Sequence, residues 1–171
     1  MVSLGLAAGA NNRLVASVRR LSSVMTANET TGTRTSGPFE LHPIGWVRSP
    51  LVDRKSAPKQ GSEGSPDAWL EFDSAVLEGL RDLRAGREVI VVTWLDRASR
   101  HVLVTRPRDD PKNPELGVFS TRSPDRPNPI GLHRVEIVTI DGARIQVRNL
   151  EALDGTPVLD VKPVLDRTLE E

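Results

Sequence analysis

The chain has 171 residues, 37% of them apolar, and balances 23 basic against 23 acidic side chains, which fits one globular domain with a core of its own. It contains no cysteine, so a disulfide framework and a thiolate metal site are excluded, and a reducing, cytoplasmic setting is expected. No apolar run approaches the length that a membrane-spanning helix needs.

Residues 1–36 are rich in Ala, Ser, Thr, Asn and Gly, and Arg13, Arg19 and Arg20 meet no acid before Glu29. They read as a disordered tail, or as translation begun ahead of Met25. The apolar stretch precedes the basic one, which argues against a secretory signal and leaves an Arg-rich targeting segment as the alternative. The folded domain is expected over 37–166, with a short tail at 167–171.

Within the domain, Leu41, Ile44, Trp46 and Val47 lead into Ser49-Pro50, and residues 68–72 alternate with period two, so both stretches read as strands. Residues 51–67 between them hold prolines, glycines and charges and form a long loop, a feature that in compact domains is usually functional or disordered. Asp73 or Ser74 then caps a short helix with Val76, Leu77, Leu80 and Leu83 at helical spacing, ended by Gly86. Glu88 to Leu95 is a nearly continuous β-branched run and predicts a central strand, followed by a shorter one from His101 to Thr105. His133 to Ile140 and Ala143 to Val147 flank Asp141-Gly142, a hairpin signal, and Val158 to Val164 closes the domain. The predicted fold is mainly β: a small antiparallel β-barrel with one short core helix and long loops. No βαβ alternation and no Gly-rich turn between strand and helix support a Rossmann domain.

Charge is uneven along the chain. Arg97, Arg100, Arg106, Arg108, Lys112, Arg122, Arg126 and Arg134 crowd the middle, and Glu151, Asp154, Asp160, Asp166, Glu170 and Glu171 crowd the end. The basic middle either faces a polyanion or belongs to a solvated mixed surface. His42, His101 and His133 lie far apart without metal-site spacing, and Asp109-Asp110 beside Pro111 reads as a solvated turn, so no metal is expected. Neither a Gly-x-Ser-x-Gly elbow nor a Walker loop occurs.

Two segments remain. Residues 117–131 carry prolines at 124, 127 and 129, which remove amide donors, fix φ and push Ser123, Arg126 and Asn128 towards extended backbone. A loop so stiffened has lost much of its entropy before a ligand arrives, which suits a binding site. Residues 150–163 gather Glu151, Asp154, Asp160 and Lys162, which read plainly as an Asp154-Gly155 turn and a surface pair of Asp160 with Lys162.

Together, Ile44 to Pro50, Pro58-Lys59-Gln60, Gly117 to Leu132 and Asp154 to Pro163 resemble the TrmO, or TsaA-like, family of S-adenosylmethionine-dependent tRNA methyltransferases, over about residues 39 to 165. The resemblance implies a β-barrel that binds S-adenosylmethionine outside any Rossmann fold, near the interface of a homodimer, without metal or membrane. It also implies N6-methylation of threonylcarbamoyladenosine at position 37 of tRNA. Cofactor contacts would fall on Lys59, Gln60, Leu95, Asp96, Arg122, Leu132, and Glu151, Ala152, Leu153 and Asp154. Asp154 or Asp160 would act as base, and Lys162 would offset negative charge on the acceptor's carbonyl oxygen. Arg97, Arg106, Arg108 and Arg126 would meet phosphates of the anticodon stem-loop. The chain departs from the family's usual residues at Lys59, His133, Glu151 and Val164. Other readings are a methyltransferase for a different RNA base or small molecule, and a non-catalytic module that binds RNA or cofactor.

Overall fold

Period-two alternation organises the computed structural model, which describes residues 14–16 and 39–165. In chain order its strands are β1 (Leu14–Ala16), β2 (Phe39–Leu41), β3 (Gly45–Arg48), β4 (Ala68–Phe72), β5 (Glu88–Trp94), β6 (Val104–Thr105), β7 (Leu116–Gly117), β8 (Ile130–Asp141), β9 (Arg144–Arg148) and β10 (Pro157–Pro163). The chain divides into residues 1–42 and 43–171. In the first unit β1 and β2 pair antiparallel, with Leu14 opposite Leu41. The rest of the expected N-terminal tail, Met25 included, lies outside the described residues, as does the tail at 167–171.

In the second unit six strands pair antiparallel in the order β10-β3-β4-β9-β8-β5, and β5 pairs back onto β10, so the sheet closes on itself. Successive side chains point to opposite faces, and the inner face takes Val47, Leu70, Val89, Val91, Val135, Ile137, Ile145, Val147 and Val158, none more than 3% exposed. Truncating Leu70 or Ile145 to alanine would cost about 2–5 kcal/mol. At one end this face turns polar, where Thr93 of β5, His133 of β8 and Thr156 just ahead of β10 are all buried.

Three local expectations are corrected and one is refined. The helix after β4 forms as expected over Ser74–Leu80, capped by Asp73, whose Oδ1 accepts the Ala75 amide at 2.9 Å, and it is a 3-10 helix. So short a segment gains little from α-helical propagation, and 3-10 bonds suit a tight connector. Gly86 lies beyond it at φ 80° and donates its amide to the Ile137 carbonyl at 2.8 Å, so it docks the chain on β8 rather than ending the helix. The strand expected at His101 to Thr105 shrinks to Val104–Thr105, because its partner β7 offers only Leu116 and Gly117 before the chain turns into a 3-10 helix at Val118. Strand β8 starts at Ile130, inside the expected loop, and pairs it with Trp94, since Pro129 is the last residue that denies an amide. The hairpin at Asp141-Gly142 forms as expected, with Gly142 at φ 57°. Among the described residues no helix is long and apolar enough to cross a membrane.

Candidate cofactor cleft at the polar end of the sheet

The proline loop is held by its own arginine. Arg126 Nε donates to the Ser123 carbonyl at 2.8 Å, and Nη2 donates to those of Thr121 at 2.6 Å and Val118 at 3.2 Å. Prolines leave carbonyls in the loop without nearby amide partners, and a planar guanidinium can serve several at once. Asp125 next to it accepts the Ser99 amide at 2.7 Å and Arg54 Nη2 at 2.8 Å, tying this loop to the turn after β5 and to the loop after β3. Burial pushes the Asp125 carboxyl up, but Arg54 and the Ser99 amide outweigh it and hold it below its ordinary value.

These three segments, with the chain after β9, wall a cleft of about 870 Å³. Lys59 and Gln60 line it from the long loop, Leu95 and Asp96 from the turn after β5, Arg122 from the proline loop, Leu132 from the start of β8, and Glu151, Ala152 and Leu153 from the chain after β9. All nine were expected cofactor contacts from sequence. Asp154 is not in the lining. Its Oδ1 accepts the Ser49 amide at 3.1 Å, its amide donates to the Leu51 carbonyl at 2.7 Å and its carbonyl accepts Arg97 Nη2 at 2.9 Å. It therefore fixes the turn that presents Glu151 to Leu153.

Asp160 and Lys162 also lie off the lining, as a half-exposed pair 2.7 Å apart on β10. Across the sheet Asp160 stands opposite Val92, and Val92 opposite Leu132; Lys162 stands opposite Ile90, and Ile90 opposite Arg134. Cross-strand neighbours share a face, so Asp160 and Lys162 lie on the outer face with Leu132 and Arg134, about 10 Å away across two strand spacings.

Of the arginines expected to meet RNA, Arg97 and Arg126 line the cleft and Arg106 and Arg108 do not. Arg97 holds the Val52 and Asp154 carbonyls. Arg106 pairs with Glu115 at 3.2 Å, and Arg108 pairs with Glu63. Lys59 is within 3.0 Å of Asp109.

At the base of the cleft Thr93 Oγ1 is 2.8 Å from His133 Nε2, and His133 Nδ1 is 2.9 Å from Glu151 Oε1. The second lies at hydrogen-bond distance but outside hydrogen-bond alignment. Burial raises the Glu151 carboxyl, yet His133, the Glu151 amide and the Arg122 charge prevail and hold it below its ordinary value. Two glycines make room here. A Cβ at Gly131 would overlap Thr93 Oγ1 and come within 2.5 Å of His133 Nε2, and one at Gly61 would overlap the Asn149 carbonyl and lie 3.1 Å from Glu151 Oε2. Sequence reading passed over Thr93, Arg54, Asp125 and Gly61; a glycine two residues before a histidine on one strand face was the signal available for the Thr93 contact.

Relatives agree in kind. The chain is 44% identical over 124 residues to a probable S-adenosyl-L-methionine-binding protein of Archaeoglobus fulgidus, covering 72% of this chain and 33% of that one. It is 43% identical over 122 residues to an S-adenosyl-L-methionine-binding protein of the same organism, covering 71% of this chain and 86% of that one. The crystal structure of TrmO from Pseudomonas aeruginosa superposes with a TM-score of 0.60 at 28% identity, over 84% of this chain and 62% of that one. The chain thus spans about a third of the first relative's length and under two thirds of the solved TrmO chain. A family model described as the tRNA-methyltransferase O N-terminal domain matches residues 46–168, and the chain belongs to that family.

Proposed function

We propose that this protein is an S-adenosylmethionine-dependent tRNA methyltransferase whose acceptor is N6 of threonylcarbamoyladenosine at position 37. The observation that carries the reading is the convergence of nine residues, from segments as distant as Lys59 and Leu153, on one cleft of about 870 Å³. That volume falls among ligand sites, roughly 300–1,000 Å³, which combine apolar walls with a few oriented polar groups.

The lining fits the cofactor's chemistry. Leu95, Leu132 and Leu153 offer apolar surface to a purine, Asp96 and Glu151 accept from hydroxyl or ammonium groups, and Arg122 and Lys59 suit a carboxylate. Bound there, S-adenosylmethionine would supply a methyl group on a cationic sulfur. The protein's own share is chiefly alignment, for which a loop locked by Arg126 and a closed sheet, read as a small β-barrel, are well suited.

The acceptor nitrogen must lose a proton, and of the two candidate carboxylates Asp160 is the better base. Each accepts one backbone amide, Asp154 that of Ser49 and Asp160 that of Val161, but Asp160 is half exposed on the outer face that leads to Leu132. Lys162 beside it would offset charge on the acceptor's carbonyl oxygen. Arg106 and Arg108, exposed apart from their ion pairs, would meet anticodon stem-loop phosphates, while Arg97 and Arg126 act by shaping the cleft. Ile130, Leu132 and Trp46 leave 43%, 53% and 42% of their surface exposed, which supports a second copy docking over the outer face to form a homodimer, and a tRNA acceptor would place it in the cytoplasm.

Calorimetric titration with S-adenosylmethionine tests the donor, and mass spectrometry of tRNA nucleosides from a deletion strain tests the acceptor. Unchanged methylated threonylcarbamoyladenosine in that strain would exclude the proposed acceptor.

A further inference from the structure

His133 is the one buried histidine among the described residues, 5% exposed, in an interior otherwise built from apolar side chains and two threonines. A buried imidazole needs partners for both nitrogens, and a buried carboxylate needs one for its charge. Here each meets the other. Nε2 faces Thr93 Oγ1 at 2.8 Å and Nδ1 faces Glu151 Oε1 at 2.9 Å, so the ring is held from strand β5 on one side and bears on the cleft wall on the other. Val91 stands opposite His133 in the ladder and Gly131 opposite Thr93, so the Thr93 contact runs diagonally through space that a side chain at Gly131 would fill. Glu151 belongs to the cleft lining, and its other oxygen lies beside the Gly61 backbone.

From this geometry we infer that His133 is a positioning residue: anchored by Thr93, it aims the Glu151 carboxylate into the cleft and keeps it available as a charged acceptor for the bound cofactor's hydroxyl or ammonium donors. A charged Glu151 facing Nδ1 requires the proton on that nitrogen, and Thr93 Oγ1 then donates to the bare Nε2. The groups acting on Glu151 are His133 from β8, Arg122 from the proline loop and the Glu151 amide. The lowered Glu151 carboxyl accords with that set. By linkage, whatever Glu151 contributes to binding is full above the ordinary glutamate range and fades as pH falls through the lowered value, so loss of the histidine contact would move that fading to higher pH.

The inference rests on the cofactor reading above, and its test separates the two. In His133→Asn the amide nitrogen stands in for Nδ1 and keeps a donor towards Glu151; in His133→Gln it stands in for Nε2 and keeps the Thr93 contact alone. Carbon-13 titration of the Glu151 carboxyl in the ligand-free proteins is paired with calorimetric titration of S-adenosylmethionine between pH 4 and 8. Expected are a Glu151 midpoint raised more in His133→Gln than in His133→Asn, affinity within about threefold of wild type for the asparagine protein, and at least a tenfold loss for the glutamine protein. Thr93→Val, which leaves the Glu151 contact in place but frees the ring, should fall between them and serves if the glutamine protein does not fold. Equal losses in the asparagine and glutamine proteins, with an unmoved Glu151 midpoint, would reduce His133 to packing and overturn the inference. A wild-type protein that ignores S-adenosylmethionine yet shows the shifted Glu151 midpoints would overturn the cofactor reading and uphold the His133 contact.

Discussion

Arg54 and Asp125, 71 residues apart in sequence, join the loop after β3 to the proline loop, with Nη2 2.8 Å from Oδ2. One carboxylate thereby clamps two walls of the cleft, because its other oxygen takes the Ser99 amide from the turn after β5.

Breaking the clamp should loosen the site more than the fold. Arg54→Ala is expected to cost about 0.2–1 kcal/mol in urea unfolding, the range for a partly exposed ion pair, and to weaken S-adenosylmethionine binding several-fold. The sign with pH follows from the lowered Asp125 carboxyl: the pair's contribution is full above the ordinary aspartate value and is lost as pH falls through the lowered one. The stability gap between wild type and Arg54→Ala should therefore close on acidification. A gap that widens would refute the assignment.

Gly131→Ala should be far more damaging than its size suggests. The new methyl group would overlap Thr93 Oγ1 and crowd His133 Nε2, both buried, so a loss of about 1–3 kcal/mol is expected from overpacking. Chemical denaturation reads the loss, and unchanged stability would mean that the strand shifts to admit the methyl.

Arg126→Lys should fail to replace arginine. Three carbonyls share the guanidinium, and an ammonium has neither its reach nor its planar fork. About 1–3 kcal/mol of loop stability should be lost with the unpaired carbonyls. Faster hydrogen exchange of amides in residues 117–131, with little change in the strands, is the expected readout.

Asp160→Asn and Lys162→Ala should leave stability within about 0.5 kcal/mol, because the pair is half exposed on the sheet surface. If Asp160 is the base, turnover of tRNA should fall about a hundredfold or more in the asparagine protein while cofactor affinity holds. Wild-type turnover in both would remove the pair from the chemistry.

Arg106→Ala and Arg108→Ala should weaken tRNA binding and lower the slope of log affinity against log salt by about one each. Filter binding across a salt series measures it; an affinity flat in salt would take the arginines off the RNA surface.

Most of the strand pattern was legible in the residues. Alternation at 68–72 and the β-branched run at 88–94 marked β4 and β5, because apolar side chains two apart can only be buried on one face of a strand. The hairpin at Asp141-Gly142 needed nothing beyond its turn chemistry. Nine residues that family resemblance marks as expected cofactor contacts lie together along one cleft. Helical spacing marked the helix at 74–80 without separating a 3-10 from an α-helix, and periodicity missed the start of β8, where proline masked a strand that begins directly after it.

By itself, then, the sequence determined which residues alternate, where proline denies an amide, and which motifs belong together; these are properties of neighbours along the chain. Only the tertiary structure decided that Asp154 braces a turn while Asp160 stays on the outer face, and that His133 meets Thr93 and Glu151. Those are contacts between segments tens of residues apart, and they exist because the sheet closes and brings one end of β5, β8 and the chain after β9 to a single buried place.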